Sequence, residues 1–149
     1  MSTHPYDPVS RVMSWPVATI DCEATLEEAA EALAGDNIGV LLVLRDGGLA
    51  GLVSERDVVA HVAAGSDLTH LLVGEAMAGE LVTTPPDAPI SAAARAMVNA
   101  DVRHLPVLDG KLIAGVVSIR DLVAVLADAV EYEDVVVVPS GARVVVRSS

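Results

Sequence analysis

The segment GLVSERD at residues 51–57 returns as GVVSIRD at residues 115–121, an offset of 64 positions (from 51 to 115). Laid over one another at that offset, residues 13–60 and 77–124 need no gap and agree at 17 of 48 positions. Several of those matches are Ala or Val, which this composition supplies freely. The order of elements therefore carries more weight than the count. An internal repeat of this size restricts the fold severely, because each copy must be one supersecondary unit that cannot bury its apolar face alone.

In the first copy, PVATI (16–20) reads as a short extended segment. ATLEEAAEALAGDN (24–37) follows, with Thr25 as a helix cap, Glu28 three residues on, and Leu26, Ala29, Ala30 and Leu33 at helical spacing. Gly35 is the expected stop. IGVLLVL (38–44) reads as a buried strand, RDGG as a tight turn and LAGLVS (49–54) as the hairpin partner. SERDVVAHVAAG (54–65) is a second helix ending near Gly65. The second copy repeats the order: LVTT, a helix in APISAAARAMVNAD, a strand in VRHLPVL, the turn DGK, a strand in LIAGVVS and a helix in SIRDLVAVLADAV. The fold class is α/β (α+β): two β-α-β-β-α motifs packed with pseudo-twofold symmetry. SRVM and GEAM read as short lead-in helices to the two copies. The motifs are bounded at 9–65 and 77–130, with a linker at 66–76. Residues 131–149 hold two Val-rich runs around Pro139-Ser140-Gly141 and read as a C-terminal β-hairpin. So apolar a hairpin is expected to pack on the domain or on a second subunit.

Composition narrows the function. The 149 residues carry a formal charge of −12, which opposes general binding to nucleic acid or anionic lipid. No basic helix-turn-helix face is present to support a DNA-binding regulator. The apolar runs are far shorter than a membrane span, and the N-terminus has no secretory pattern, so a cytoplasmic protein is expected. A single Cys, Cys22, excludes an internal disulfide framework, and no spacing suggests a metal site. His4, His61 and His70 have no partner pattern for a metal either. Enzyme motifs are missing: no phosphate-binding P-loop, no dinucleotide glycine fingerprint, no paired metal histidines and no nucleophile elbow. A non-enzymatic protein is the expectation.

With these motifs in view, the chain resembles a tandem pair of cystathionine-β-synthase (CBS) motifs. The matching features are RVMS and EAMA before each copy, IGVLLVL and VRHLPVLDGK in the middle, and GLVSERD and GVVSIRD at the end. The resemblance covers residues 9–128. It implies a stand-alone regulatory module that binds an adenosine-containing ligand (AMP, ADP, ATP or S-adenosylmethionine) in clefts between the motifs, has no obligatory cofactor, and forms a homodimer. It also implies that Asp57 and Asp121 bind ribose hydroxyls, with Ser54 and Ser118 near the phosphates. Thr19 and Thr83, entering the first strands, are implied to line the clefts, as are Val40–Leu42 and Arg103–Pro106, among them Val40, Arg103, His104 and Pro106. An unidentified protein partner fits the same picture.

The heptad also makes physical sense as a nucleotide grip. A helix start offers unpaired N–H groups to a phosphate, and an acid there accepts hydrogen bonds from vicinal hydroxyls. Arg56 and Arg120, two of only nine basic residues, add cationic partners. The plainer reading is that Ser-x-x-Asp is a helix cap requiring no ligand. Capping accounts for Ser and Asp but not for the repeated Arg. The copies also differ: Arg103 and His104 stand where the first copy has Gly39 and Val40, so the clefts are not equivalent. If one cleft alone is filled, it is the one reached by Arg103. With three aromatic residues in the chain, a base would meet aliphatic walls; Trp15 could cover it or simply fill a subunit contact. The alternative to ligand binding is a structural or interaction dimer with an empty cleft.

Overall fold

A computed structural model describes residues 3–77, 80–129, 133–137 and 143–147. The first copy contains β1 (Thr19–Asp21), α1 (Leu26–Asp36), β2 (Val40–Arg45), β3 (Gly48–Ser54) and α2 (Glu55–Ala63). A short helix, α3 (Val73–Ala76), leads into the second copy, which contains α4 (Ile90–Ala100), β4 (His104–Asp109), β5 (Leu112–Ser118) and α5 (Ile119–Ala129). Beyond it, β6 (Glu133–Val137) pairs antiparallel with β7 (Arg143–Arg147), the expected C-terminal hairpin. Its turn at 139–141 lies outside the described residues. The β-α-β-β-α order read from the repeat holds in both copies, with the first strand of the second reduced to a bridge.

The first copy forms a sheet of order β1-β2-β3, with β1 parallel to β2 and β2 antiparallel to β3. The second copy has only the β4-β5 hairpin as a sheet. Its expected first strand, LVTT, contracts to a single parallel bridge, Thr84 to Val107. Prolines explain the loss. In the first copy Leu42 N–H donates to the Ala18 carbonyl and Cys22 N–H to the Leu44 carbonyl. The equivalent positions are Pro106 and Pro86, and neither has an N–H to donate. Only the two bonds centred on Thr84 survive, Thr84 N–H to Pro106 and Leu108 N–H to Thr84.

Helix α1 also runs past Gly35. It ends at Asn37, whose φ of 51° places it in the left-handed region, and α4 ends the same way at Asp101 with φ 53°. Short polar side chains tolerate that conformation, so a glycine is not required. At the other end, Thr25 accepts a hydrogen bond from the Glu28 N–H, half of the anticipated box.

Each copy has its own core, and each core is completed by the lead-in of the other copy. Leu26, Ala29, Leu33, Leu41, Val43 and Val53 close around Val73 and Ala76 of α3. Ile90, Ala93, Met97, Leu105, Val107, Val117, Leu122 and Val125 close around Val9, from the 3-10 turn Val9–Arg11 that precedes the first copy. Hydrogen bonds follow the same exchange: Val9 N–H donates to Ala88, and Val73 N–H to Ala24, the equivalent residue 64 positions earlier. Ser14 bridges antiparallel to Val116 on β5.

This exchange explains the glycine that opens each heptad. A Cβ on Gly51 would stand 2.7 Å from the Met77 sulfur, and one on Gly115 would stand 2.8 Å from both the Met13 sulfur and the Ser14 carbonyl oxygen. Each strand leaves out a side chain so that the opposite lead-in methionine can lie on it. Gly115→Ala must displace backbone and is expected to cost about 1–3 kcal/mol, whereas Gly51→Ala meets only a flexible thioether and costs less. Urea denaturation of the two variants checks the order; equal losses would contradict it.

Candidate functional site

The heptads leave β3 and β5 as helix caps. Ser54 Oγ accepts from the Asp57 N–H at 3.3 Å, and Asp57 Oδ2 accepts from the Ser54 N–H at 2.7 Å and the Ser54 hydroxyl at 3.0 Å. In the second copy, Ser118 Oγ accepts from the Asp121 N–H at 3.2 Å and Asp121 Oδ2 from the Ser118 N–H at 2.9 Å. The capping reading of Ser-x-x-Asp is therefore correct in both copies. In each case one carboxylate oxygen does the capping, and Oδ1 makes no hydrogen bond among the described residues.

Both caps line a shared cavity of about 950 Å³. The wall is nearly symmetric. Ser54, Arg56 and Asp57 face it from one copy, Ser118, Arg120 and Asp121 from the other, and Leu52 and Val116 lie behind them. Val40, Arg103 and His104 also line it. Arg56, Arg103 and Arg120 are exposed and form no salt bridge among the described residues, where Arg11 pairs with Asp7. Three guanidinium groups are thus available at the cavity.

Thr19, Thr83 and Pro106 lie elsewhere. The cavity meets each middle strand only at its first residue, so Pro106, two residues further along β4, is buried in the protein. Thr19 is exposed where β1 already pairs with Leu42, and Thr83 is exposed beside the Thr84 bridge. The cavity wall takes instead the residues just before them, Pro16, Val17 and Ala18, and Glu80, Leu81 and Val82. Asn37 and Asp101, the left-handed helix caps, also line the wall. Their signal in the sequence is a polar residue ending each helix immediately before the middle strand. Trp15 is 63% exposed, outside the lining but between Ser14 and Pro16, which belong to it.

His104 makes the two halves unequal. A Cβ on Gly39 would lie 3.5 Å from His104 Nε2, so the ring rests against the first copy at the cavity's midline. Burial pushes the imidazole below its ordinary value near 6.5, opposed by Asp121, Glu55 and Asp57 and reinforced by Arg103.

A family model for the CBS domain matches residues 9–64 and again 73–128. The chain belongs to the CBS domain family. Among its relatives is the CBS domain-containing protein YhcV of Bacillus subtilis, 31% identical over 114 residues, which span 76% of this chain and 81% of that one. A CBS-domain-containing protein of Agrobacterium tumefaciens has the same fold, with a TM-score of 0.74, 28% identity, and coverage of 81% of this chain and 94% of that one. The CBS domain pair of protein MJ0100, solved in complex with 5′-methylthioadenosine and S-adenosyl-L-methionine, superposes with a TM-score of 0.75 at 24% identity, covering 84% of this chain and 99% of that one.

Two stability effects follow for this CBS pair. Ser54→Ala and Ser118→Ala each remove a cap and are expected to cost about 1 kcal/mol. His104 acts through pH. Its folded-state affinity for a proton is below that of the unfolded chain, so stability is full above the ordinary value of 6.5 and is lost as pH falls below it. Between about pH 7.5 and about pH 5.5, wild type is expected to lose more stability in urea than His104→Val does. Identical losses would contradict the assignment.

Proposed function

We propose that this CBS pair is a cytoplasmic, non-enzymatic regulatory module that binds an adenine nucleotide or related adenosyl ligand between its motifs and signals through its conformation or its dimer. The observation that carries this reading is the shared cavity into which both Ser-x-Arg-Asp turns open. Its volume lies within the range of small-molecule sites. Asp57 and Asp121 each keep a carboxylate oxygen outside the cap, suited to vicinal ribose hydroxyls. Arg56, Arg103 and Arg120 suit a phosphate, and the aliphatic wall of Val17, Ala18, Leu52, Leu81, Val82 and Val116 suits a base. That the fold accepts adenosyl ligands in the MJ0100 pair supports the class of ligand; the choice among AMP, ADP, ATP and S-adenosylmethionine rests on this chain's own wall.

Calorimetry with those four compounds tests the reading. Wild type is expected to bind at least one, and Asp57→Ala with Asp121→Ala to weaken binding by about tenfold or more, since each removes a charge-assisted contact. Trp15, the single tryptophan, gives a second readout through its fluorescence. Absence of heat with every compound sinks the proposal.

A second reading, an interaction module in which dimerisation is the function, has its own observation. Val59 and Val62 on α2 are 66% and 59% exposed, and Val123 on α5, the repeat equivalent of Val59, is 54% exposed. Paired apolar helix faces suit a second copy of the chain. Truncation after Ala129 separates a dimer built on these helices from one that depends on the C-terminal hairpin. A helix-built dimer keeps its mass in light scattering when shortened.

A further inference from the structure

His104 is the first residue of β4, paired with Ser118, and its ring lies against Gly39. The Gly39 carbonyl accepts the Glu55 N–H at 3.1 Å, the first residue of α2, and Ser118 caps α5. The imidazole therefore stands between the two helix starts, on the line where the halves of the cavity meet. The first copy has Val40 at the equivalent place, so the cavity has one imidazole and not two. Neither ring nitrogen makes a hydrogen bond among the described residues. The residue lines the cavity.

The charges around it are lopsided. Glu55 and Asp57 face the ring from α2, Asp121 faces it from α5, and Arg103 precedes it in the chain. The whole cavity wall carries six carboxylates against three guanidinium groups. A phosphate entering this wall brings more negative charge to a site already short of cations. The imidazole can supply one more cation by taking a proton from solvent. Burial disfavours the charged ring, the three carboxylates pull the other way, and an added anion tips that balance.

We propose that His104 makes ligand binding proton-linked: an anionic adenosine ligand enters with uptake of a proton by the imidazole, and an uncharged nucleoside enters without it. This rests on the ligand-binding reading above and adds to it the charge that the site selects. The proton comes from the buffer and returns to it on release; no other bond is made or broken.

The test is calorimetry of the full chain with AMP and with adenosine, near neutral pH, in two buffers of different ionisation enthalpy. The AMP heat is expected to depend on the buffer with the sign of proton uptake, and the adenosine heat to be independent of it. AMP affinity should rise as pH is lowered from about 8 to about 6.5, by no more than about tenfold per pH unit for one proton. Because the AMP phosphate itself titrates near pH 6, His104→Val is the control. It should abolish the uptake and bind AMP more weakly at the lower pH. The ring resonances of His104 in wild type give an independent reading, with a titration midpoint that moves upward when AMP is added. AMP binding with no buffer dependence, or with equal uptake in His104→Val, overturns this inference and leaves the ligand-binding proposal intact. No binding of AMP, ADP or ATP at any pH overturns this inference alone, whereas no binding of any of the four compounds sinks both.

Discussion

Each half of this protein is closed by a segment belonging to the other. Val9 seals the core under α4 and α5, and Val73 seals the core under α1 and α2; both are fully buried. Burying such a side chain is worth about 1.5–3 kcal/mol, a large share of what holds a small domain together. The exchange also fixes geometry. Because Met13 lies on Gly115 and Met77 on Gly51, the strand that ends in each heptad is pinned against the lead-in of the opposite copy. The two capped helix starts are then brought to a common cavity. Loosening either lead-in would disturb a core and the cavity wall together.

That coupling would give the proposed ligand a physical route to conformation. The first copy's lead-in methionine is followed by Ser14 and Pro16 in the cavity wall, and the second copy contributes Glu80 to that wall. A ligand held between the caps would touch the ends of segments whose other ends are buried in the opposite core. Any shift at the wall must be absorbed by close-packed cores, which resist gradual deformation. The exposed valines of α2 and α5 lie on the same helices whose first turns line the wall. Cavity and candidate dimer surface are therefore two ends of one rigid element.

Much of this was legible in the sequence because the repeat is ungapped and its patterns are local. The hairpins, the Ser-x-x-Asp caps and the helices follow from spacing alone. The prolines at 85, 86 and 106 also announce the lost strand of the second copy, once one asks which N–H groups a parallel pair would need. The exchange of lead-ins was not legible, since nothing in RVM or EAM states which core it enters. That choice is made by packing between segments far apart in sequence. Thr19 and Thr83 were placed at the cavity for a related reason. The strand entry was recognisable, but the point at which the wall gives way to paired strand depends on the register of β1 with β2. Gly35 failed as a helix stop because Asn37 and Asp101 reach the left-handed conformation without glycine, and those two residues line the cavity as a result.

At the heptad, a cap and the proposed ligand contact need not compete for the same oxygen atom. A carboxylate has two, and the cap in each copy uses Oδ2 alone. Capping holds the Asp side chain in one position, so a ligand meeting Oδ1 would not have to immobilise it first, and the entropy of fixing that rotamer is already spent in folding. The same logic separates the Arg from its neighbours. Arg56 and Arg120 contribute nothing to the caps and pair with no acid among the described residues, yet they recur at the same place in both copies. Their position at the cavity is the one that the proposed phosphate contact would use.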